Sequence, residues 1–505
     1  MLARIQRLPL IVILMGIGAL AMYVPAFYAV TDRHWDTSRA FFFSATIFLV
    51  MTAMIAIATA NYAPRRLARN HLLALLAGFT LLPMMLAVPL WESIGNTSFL
   101  NAYFEMVSSL TTTGATVFED PGRLSGADHL WRALVGWLGG LLIWVAAAAI
   151  LAPMNLGGFE VLEASGDDTV EGLGQITRIA DVPERLRRYT TMMAPIYSVL
   201  TLVLWLGLML AGDTSLVAIC HAMSTMATSG ISPVSGVAGS SAGLGGEMLI
   251  FVFFIFAVSR QTFTRDFRYR GARKYLKDPE IMMGLFCVIA LPLLLILRHW
   301  VGALEVDSGQ SLGAALLALW GGVFTVLSFL STTGFESAAW ESARSWSGLE
   351  TPGLILLGLA MIGGGVATTA GGVKLLRVYV LYRHAQRELE RLVHPSSVGG
   401  AGTRARQLRR QGAYVAWIFF MLFAISIAVV MLALSLTGLE FEPALVLTVA
   451  ALSTTGPLAG IAAELPLSYA LLPDAAKLIL AASMVLGRLE TLAIIALLNP
   501  EFWRN

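Results

Sequence analysis

Four short segments of this chain carry nearly the same residues: Thr111-Thr112-Thr113-Gly114, Ala227-Thr228-Ser229-Gly230, Ser331-Thr332-Thr333-Gly334 and Ser453-Thr454-Thr455-Gly456. They recur at intervals of roughly a hundred residues, so one unit is repeated four times. Each copy follows a short apolar stretch and precedes a longer one. A chain patterned in this way can supply all four sides of a ring. Each segment can then turn backbone carbonyls toward a common axis, where they replace the water shell of a cation. Glycine permits the backbone angles that aim a carbonyl inward because it has no Cβ to clash. The preceding hydroxyls can tether the loop or add ligands. One Thr-Gly pair would be an ordinary turn, but four at one register point to an ion-conducting membrane protein. Each signature is shorter than the TVGYG filter of tetrameric potassium channels, so fewer stacked sites and looser discrimination are expected.

Composition supports a lipid-embedded chain. Apolar residues make up 57% and charged residues 13%, where a soluble domain is about a quarter charged. A spanning helix needs about 20 mostly apolar residues. The candidates are 8–30, 40–60, 71–91, 131–152, 190–211, 247–263, 280–299, 352–382, 413–436 and 474–498. Four further apolar pieces, 99–112, 214–228, 314–331 and 441–454, are too short to span, and each ends at one of the signatures as a re-entrant pore helix would. The fold expected is an all-α polytopic membrane protein, with two leading transmembrane helices and four pseudo-fourfold helix–pore helix–filter–helix repeats around one pore. The units run over 1–66 (the leading pair), 67–156, 157–270, 271–395 and 396–505.

Charge placement tests this count independently. Alternation from a cytoplasmic N-terminus puts Arg65, Arg66 and Arg69 inside, together with the runs Arg185 to Arg188, Arg260 to Lys277 and Arg383 to Arg410. Every basic loop then obeys the positive-inside rule, with both termini cytoplasmic. Residues 8–30 form too long an apolar run for a secretory signal and read as a retained helix. The polar segments 155–188 and 383–412 read as solvated linkers, with a docking surface for a cytoplasmic partner as the sharper alternative. Cys220 and Cys287 read as buried core thiols, and the twelve tryptophans as membrane-interface anchors. His34, His129 and His221 read as interfacial or packed groups.

Two features lie away from the signatures. The span at 352–382 is interrupted by Gly363, Gly364, Gly365, Thr368, Thr369, Gly371 and Gly372, with Lys374 just beyond. Five glycines at roughly 1 kcal/mol each disfavour a continuous helix. The stretch resembles a phosphate loop but lacks the Gly-Lys-Ser/Thr ending, and a kink for close packing is the plainer alternative. Arg488 lies in the last apolar span, where a charge is a functional hypothesis by default. Glu490, two residues on, points off another face, so carbonyls or threonines of the broken helix are better partners. A fixed positive charge beside a cation path raises the entry barrier, which a gate can use. Glu105, in the first short helix, reads as an acceptor of backbone amides that braces the neighbouring loop. No zinc-ligand spacing, nucleophile elbow or nucleotide loop is present, so no enzyme chemistry has candidate residues.

Tyr103-Phe104-Glu105 leading into Ser109 to Thr116, Trp137-Leu138-Gly139-Gly140 and Ser331 to Phe335 together resemble the Trk/Ktr/HKT superfamily of potassium transporters. So do Thr369 to Lys374, Gly487-Arg488-Leu489-Glu490 and the closing Asn499-Pro500-Glu501-Phe502-Trp503-Arg504. The resemblance covers essentially the whole chain, and the two leading helices suit the Trk-type membrane subunit. It implies that Gly114, Gly230, Gly334 and Gly456 are filter glycines, with potassium held at and just before them by Thr112, Thr113, Thr228, Ser229, Thr332, Thr333, Thr454 and Thr455. It also implies that the broken helix is an intramembrane gating loop beneath the filter, with no cofactor in the chain itself. A homodimer in the bacterial inner membrane is implied, docked to a cytoplasmic ring of nucleotide-binding regulatory subunits and to no nucleic acid. The second segment departs from the family's common Thr-Gly-Gly-Phe, and Gly456-Pro457-Leu458-Ala459-Gly460 is looser than its Gly-Pro-Gly run. A serine at the first filter glycine accompanies sodium preference in plant relatives, and Gly114 argues against that here. The alternative function is a sodium- or proton-coupled cation symporter. Alternating access from inverted repeats is disfavoured, because these repeats share one orientation and only one helix is broken. A membrane enzyme or scaffold would need a catalytic cluster or a large extramembrane domain.

Overall fold

The computed structural model describes residues 8–60, 67–151, 182–259, 278–303, 312–347, 353–394 and 413–489. Every regular element among them is helical. Seven helices among the described residues are long and apolar enough to cross a membrane. The first, Leu10–Thr31, is interrupted at Met22, whose backbone stays right-handed. Pro25 causes the break, because it has no amide hydrogen to return to the carbonyl four residues back. Pro83 has the same effect at Leu81, between Leu67–Thr80 and Leu82–Ile94. Trp35–Thr59 completes the leading pair.

The four short apolar pieces are helices: Phe99–Leu110, Ser215–Ala227, Leu312–Leu330 and Phe441–Leu452. Ser98 caps the first by accepting from the Asn101 amide at 3.2 Å. A Ser125–Asp128 capping box starts the long helix Gly126–Ala146 that closes the first unit. That helix approaches its pore helix so closely that a Cβ on Gly139 would collide with the Leu110 carbonyl. Gly487 stands in the same relation to Leu452 in the fourth unit. Phe104, Trp131, Phe324 and Phe329 pack out of contact with the surroundings around the short helices. Outward faces carry large apolar side chains, among them Leu202, Leu206, Phe286 and Leu432. Such a belt suits lipid on the outside and a packed interior around the re-entrant segments.

Several boundaries differ from the sequence expectations. The helix expected at 190–211 begins at Val182, so the basic run Arg185 to Arg188 is helical rather than linker. The expected linker from 383 is helical as far as Val393, because Leu375–Val393 meets no glycine or proline and carries an Arg391–Glu388 pair at i,i+3. The span expected over 247–263 ends at Val258, where Ser259 turns extended. Cys220 is buried, but Cys287 is only half-buried. Trp131, Trp144 and Trp340 are core residues rather than interface anchors. Within the two expected linkers, residues 155–181 and 395–412 lie outside the described residues, as do the run Arg260 to Lys277, Glu490 and both termini.

Candidate functional site

Each signature leaves its short helix through the same hydrogen bonds. The amide before the glycine donates to the carbonyl five residues back: Thr113 to Ser108 at 2.8 Å, Ser229 to Ser224 at 3.0 Å, Thr333 to Ser328 at 3.0 Å and Thr455 to Ala450 at 2.8 Å. The residue before that takes positive φ in all four copies, at 55° in Thr112, 53° in Thr228, 59° in Thr332 and 54° in Thr454. Left-handed backbone is rare for a β-branched residue and costs about 1–3 kcal/mol. Its recurrence at one register marks a built feature, which reading the glycines alone missed. Gly114, Gly230 and Gly334 are also left-handed, at φ 74°, 66° and 81°. Gly456 is not, contrary to the expectation that all four glycines serve one backbone shape.

Hydroxyls tether the loops as expected. Thr111 Oγ1 lies 2.8 Å from Thr113 Oγ1, Ser331 Oγ 3.0 Å from Thr333 Oγ1, and Ser453 Oγ 3.2 Å from Thr455 Oγ1. The second copy has Ala227 at the first position, and Ser229 Oγ instead donates to Ser224 Oγ at 3.1 Å.

The four segments meet one another. A Cβ on Gly114 would collide with the Ser229 carbonyl, and one on Gly230 with the Thr333 carbonyl. The Gly456 amide donates to the Thr113 carbonyl at 2.6 Å. Each of these carbonyls therefore lies against the glycine of the preceding copy, with the first copy set against the fourth. At Gly334 the nearest atoms are the ring of Pro457, 3.0 Å from an added Cβ. All twelve residues from Thr112–Gly114, Thr228–Gly230, Thr332–Gly334 and Thr454–Gly456 are thus brought together.

Buried side chains nine residues before the glycine hold the strand that leaves it. Glu105 Oε2 accepts from the Val117 amide at 3.1 Å, which is the bracing role expected. It is also ion-paired with Arg132, a partner the sequence reading missed. Arg132 could have been found by the signal that marked Arg488, a charge within an apolar span. In the second copy His221 Nε2 lies 2.8 Å from Ser232 Oγ, with Asp213 behind it. In the third, Thr325 Oγ1 accepts from the Ser337 amide at 3.3 Å. Glu247 joins it there, accepting from Trp320 Nε1, Ser337 Oγ and the Ala338 amide at 2.7 Å each.

The broken helix is a loop between Gly353–Ile362 and Leu375–Val393. Gly363 and Gly372 are left-handed, at φ 75° and 77°, and each packs where a Cβ on the other would strike backbone. The Gly365 amide donates to the Ala257 carbonyl at 3.0 Å, and the Val366 amide to Glu280 Oε1 at 2.7 Å. Lys374 Nζ donates to the Ala370 carbonyl at 2.7 Å, and Thr368 Oγ1 to the Gly365 carbonyl at 2.8 Å. The last two bonds are internal to the loop, and the first two fasten it to neighbouring helices. Further contacts reach the signatures or the helices that end at them. The Gly371 amide donates to Thr332 Oγ1 at 2.7 Å, and a Cβ on Gly371 would collide with the Ser453 carbonyl and Thr454 Oγ1. Thr369 Oγ1 donates to the Met226 carbonyl at 3.3 Å. Arg488 joins the loop to the first copy: Nη1 donates to the Thr369 carbonyl and Nη2 to Thr112 Oγ1, both at 2.7 Å. The expected partners of Arg488 are found, with a threonine of the signature added to them.

Four short helices, four glycine loops in mutual contact and the 363–374 loop packed against them, with Arg488 completing the set, define a polytopic helical membrane protein. The family model for TrkH, cation transport protein, matches residues 37–237 and 248–503. The chain belongs to the TrkH family. It is 31% identical over 441 residues to the Trk system potassium uptake protein TrkH of Salmonella typhimurium, covering 86% of each chain. It is 32% identical over 418 residues to the protein of the same name from Vibrio parahaemolyticus, covering 81% of each. The crystal structure of the potassium transporter TrkH from Vibrio parahaemolyticus superposes with a TM-score of 0.81 at 27% identity, over 100% of both chains.

Proposed function

We propose that this protein takes up potassium across the bacterial inner membrane through one fourfold pore. The glycine segments are its selectivity filter and the 363–374 loop, fastened by Arg488, is its gate. One observation carries the reading: the loop meets three copies directly, at Met226, Thr332 and Ser453, and Arg488 ties it to Thr112 of the remaining one. An element that only packed a kinked helix would have no reason to engage every quadrant of a ring. Carbonyls of Thr113, Ser229, Thr333 and Thr455 and of the following glycines supply the oxygens that replace water around the ion. A guanidinium and a closed loop on the same axis raise the barrier to a cation.

Both termini lie in the cytoplasm in this reading, and the pore units follow the boundaries read from the repeat. The relatives' names, Trk system potassium uptake proteins, support potassium as the cargo. A homodimer gated by a cytoplasmic ring of nucleotide-binding subunits is the assembly we infer from the resemblance. The symporter alternative differs in requiring a coupling ion. The deciding experiment is ion flux into liposomes holding the purified protein, under potassium or sodium gradients, beside a Gly114→Ser variant. Gly114→Ser places a side chain against the Ser229 carbonyl and should raise sodium relative to potassium. Equal relative permeability in parent and variant would remove the filter assignment, and uptake that requires a proton or sodium gradient would favour the symporter.

A further inference from the structure

The fourth glycine is held differently from the other three. Its amide donates to the Thr113 carbonyl at 2.6 Å, and its own carbonyl accepts from the Tyr469 hydroxyl at 2.9 Å and from the Ala459 amide at 3.2 Å. Tyr469 arrives from the segment between Leu458–Ile461 and Asp474–Leu489 and is buried. Its ring packs against Phe104 of the first short helix, with centroids 5.8 Å apart. Pro457 follows the glycine directly, and its ring lies 2.8 Å from a Cβ built on Gly230 and 3.0 Å from one on Gly334. Among the described residues no side chain donates to the carbonyls of Gly114, Gly230 or Gly334. One quadrant of four is therefore clamped on both faces of its glycine.

We propose that Tyr469 is a specificity-determining residue for cation permeation, acting through the Gly456 carbonyl. This rests on the reading of the four segments as a filter. The hydroxyl shares that oxygen with the Ala459 amide, and the positive end of its dipole adds to the opposition met by a cation placed beside the same oxygen. It also keeps the Gly456 peptide from turning. Three free carbonyls and one donated carbonyl make a weaker, stiffer ring than four free ones. A weaker field disfavours the smaller, more strongly hydrated ion, so the clamp holds sodium back relative to potassium.

The test is the Tyr469→Phe variant, which removes one oxygen and keeps the ring on Phe104. Parent and variant are reconstituted in liposomes, and the sodium-to-potassium permeability ratio is read from reversal potentials. The ratio should rise about two- to ten-fold, the span that a single neutral hydrogen bond covers. A Phe104→Leu variant loosens the packing but keeps the hydroxyl, and should stay at the parental ratio. Gly114→Ser is measured alongside. If Gly114→Ser shifts the ratio and Tyr469→Phe does not, the clamp is overturned while the filter stands. If neither shifts it, both fall. If Phe104→Leu shifts it as far as Tyr469→Phe, packing rather than the hydroxyl sets the ratio and the proposal is overturned.

Discussion

At the scale of the residue, the candidate filter depends on charges that never meet the ion. Glu105 and Arg132 are both buried, so each is tolerable only beside the other. Removing one member of such a pair leaves an uncompensated charge and costs about 3–5 kcal/mol. Glu105→Gln retains an acceptor for the Val117 amide but strands Arg132. Thermal unfolding in detergent should therefore fall sharply for Glu105→Gln, and less for the double change Glu105→Gln with Arg132→Met. A double variant as unstable as the single one would show that the pair contributes packing, not charge balance. Left-handed threonines carry a second expectation. Thr112→Gly relieves backbone strain at φ 55° but deletes the hydroxyl that Arg488 engages. The variant should raise partner-free potassium flux in liposomes. Flux at or below the parental level would mean that the Arg488 contact on Thr112 does not restrain the pore.

At the scale of the element, the 363–374 loop, the proposed gate, is held by contacts of unequal strength. Arg488→Ala removes two charge-assisted hydrogen bonds at once, worth roughly 1.5–3 kcal/mol each. Thr332→Val removes one neutral acceptor, that of the Gly371 amide. Potassium flux without a cytoplasmic partner should rise in both, more in Arg488→Ala, with selectivity nearly parental because no glycine carbonyl is altered. A variant that folds but conducts less than the parent would make Arg488 a structural residue. Much of this element was legible in advance. Glycines mark the break, and a lone arginine in an apolar span marks its partner. The combined reach of the loop and Arg488 to every copy was not legible, because contacts such as Thr369 to Met226 join units far apart in the chain and leave no local pattern. The short helices were legible within a few residues, since length and the signature at their end define them. Pro457 was read as part of the fourth run, but its reach to Gly230 and Gly334 was not, and Tyr469, a lone aromatic in a connection between helices, carries no local sign of its contact with Gly456. Gly456 misled for a related reason, since a shared motif does not guarantee shared backbone angles when a proline follows.

At the scale of the whole molecule, one chain surrounds one pore, and its outward faces are apolar. The proposed cytoplasmic partner is then expected to dock on the polar stretches between units. Deleting 161–176 together with 396–410 should abolish co-purification with a nucleotide-binding partner ring while leaving the homodimer intact, as read by native mass spectrometry. A complex that survives both deletions would put docking elsewhere. The two deletions should also leave the permeability ratio unchanged, because no residue of the four signatures is touched.

The hydrogen bond from Gly456 to Thr113 joins the last copy of the repeat to the first. During synthesis, the first three copies are threaded into lipid before their final neighbour exists. The ring cannot close until the last unit has been translated and inserted. Losing the last unit therefore removes a wall of the ring and leaves the first copy without its neighbour.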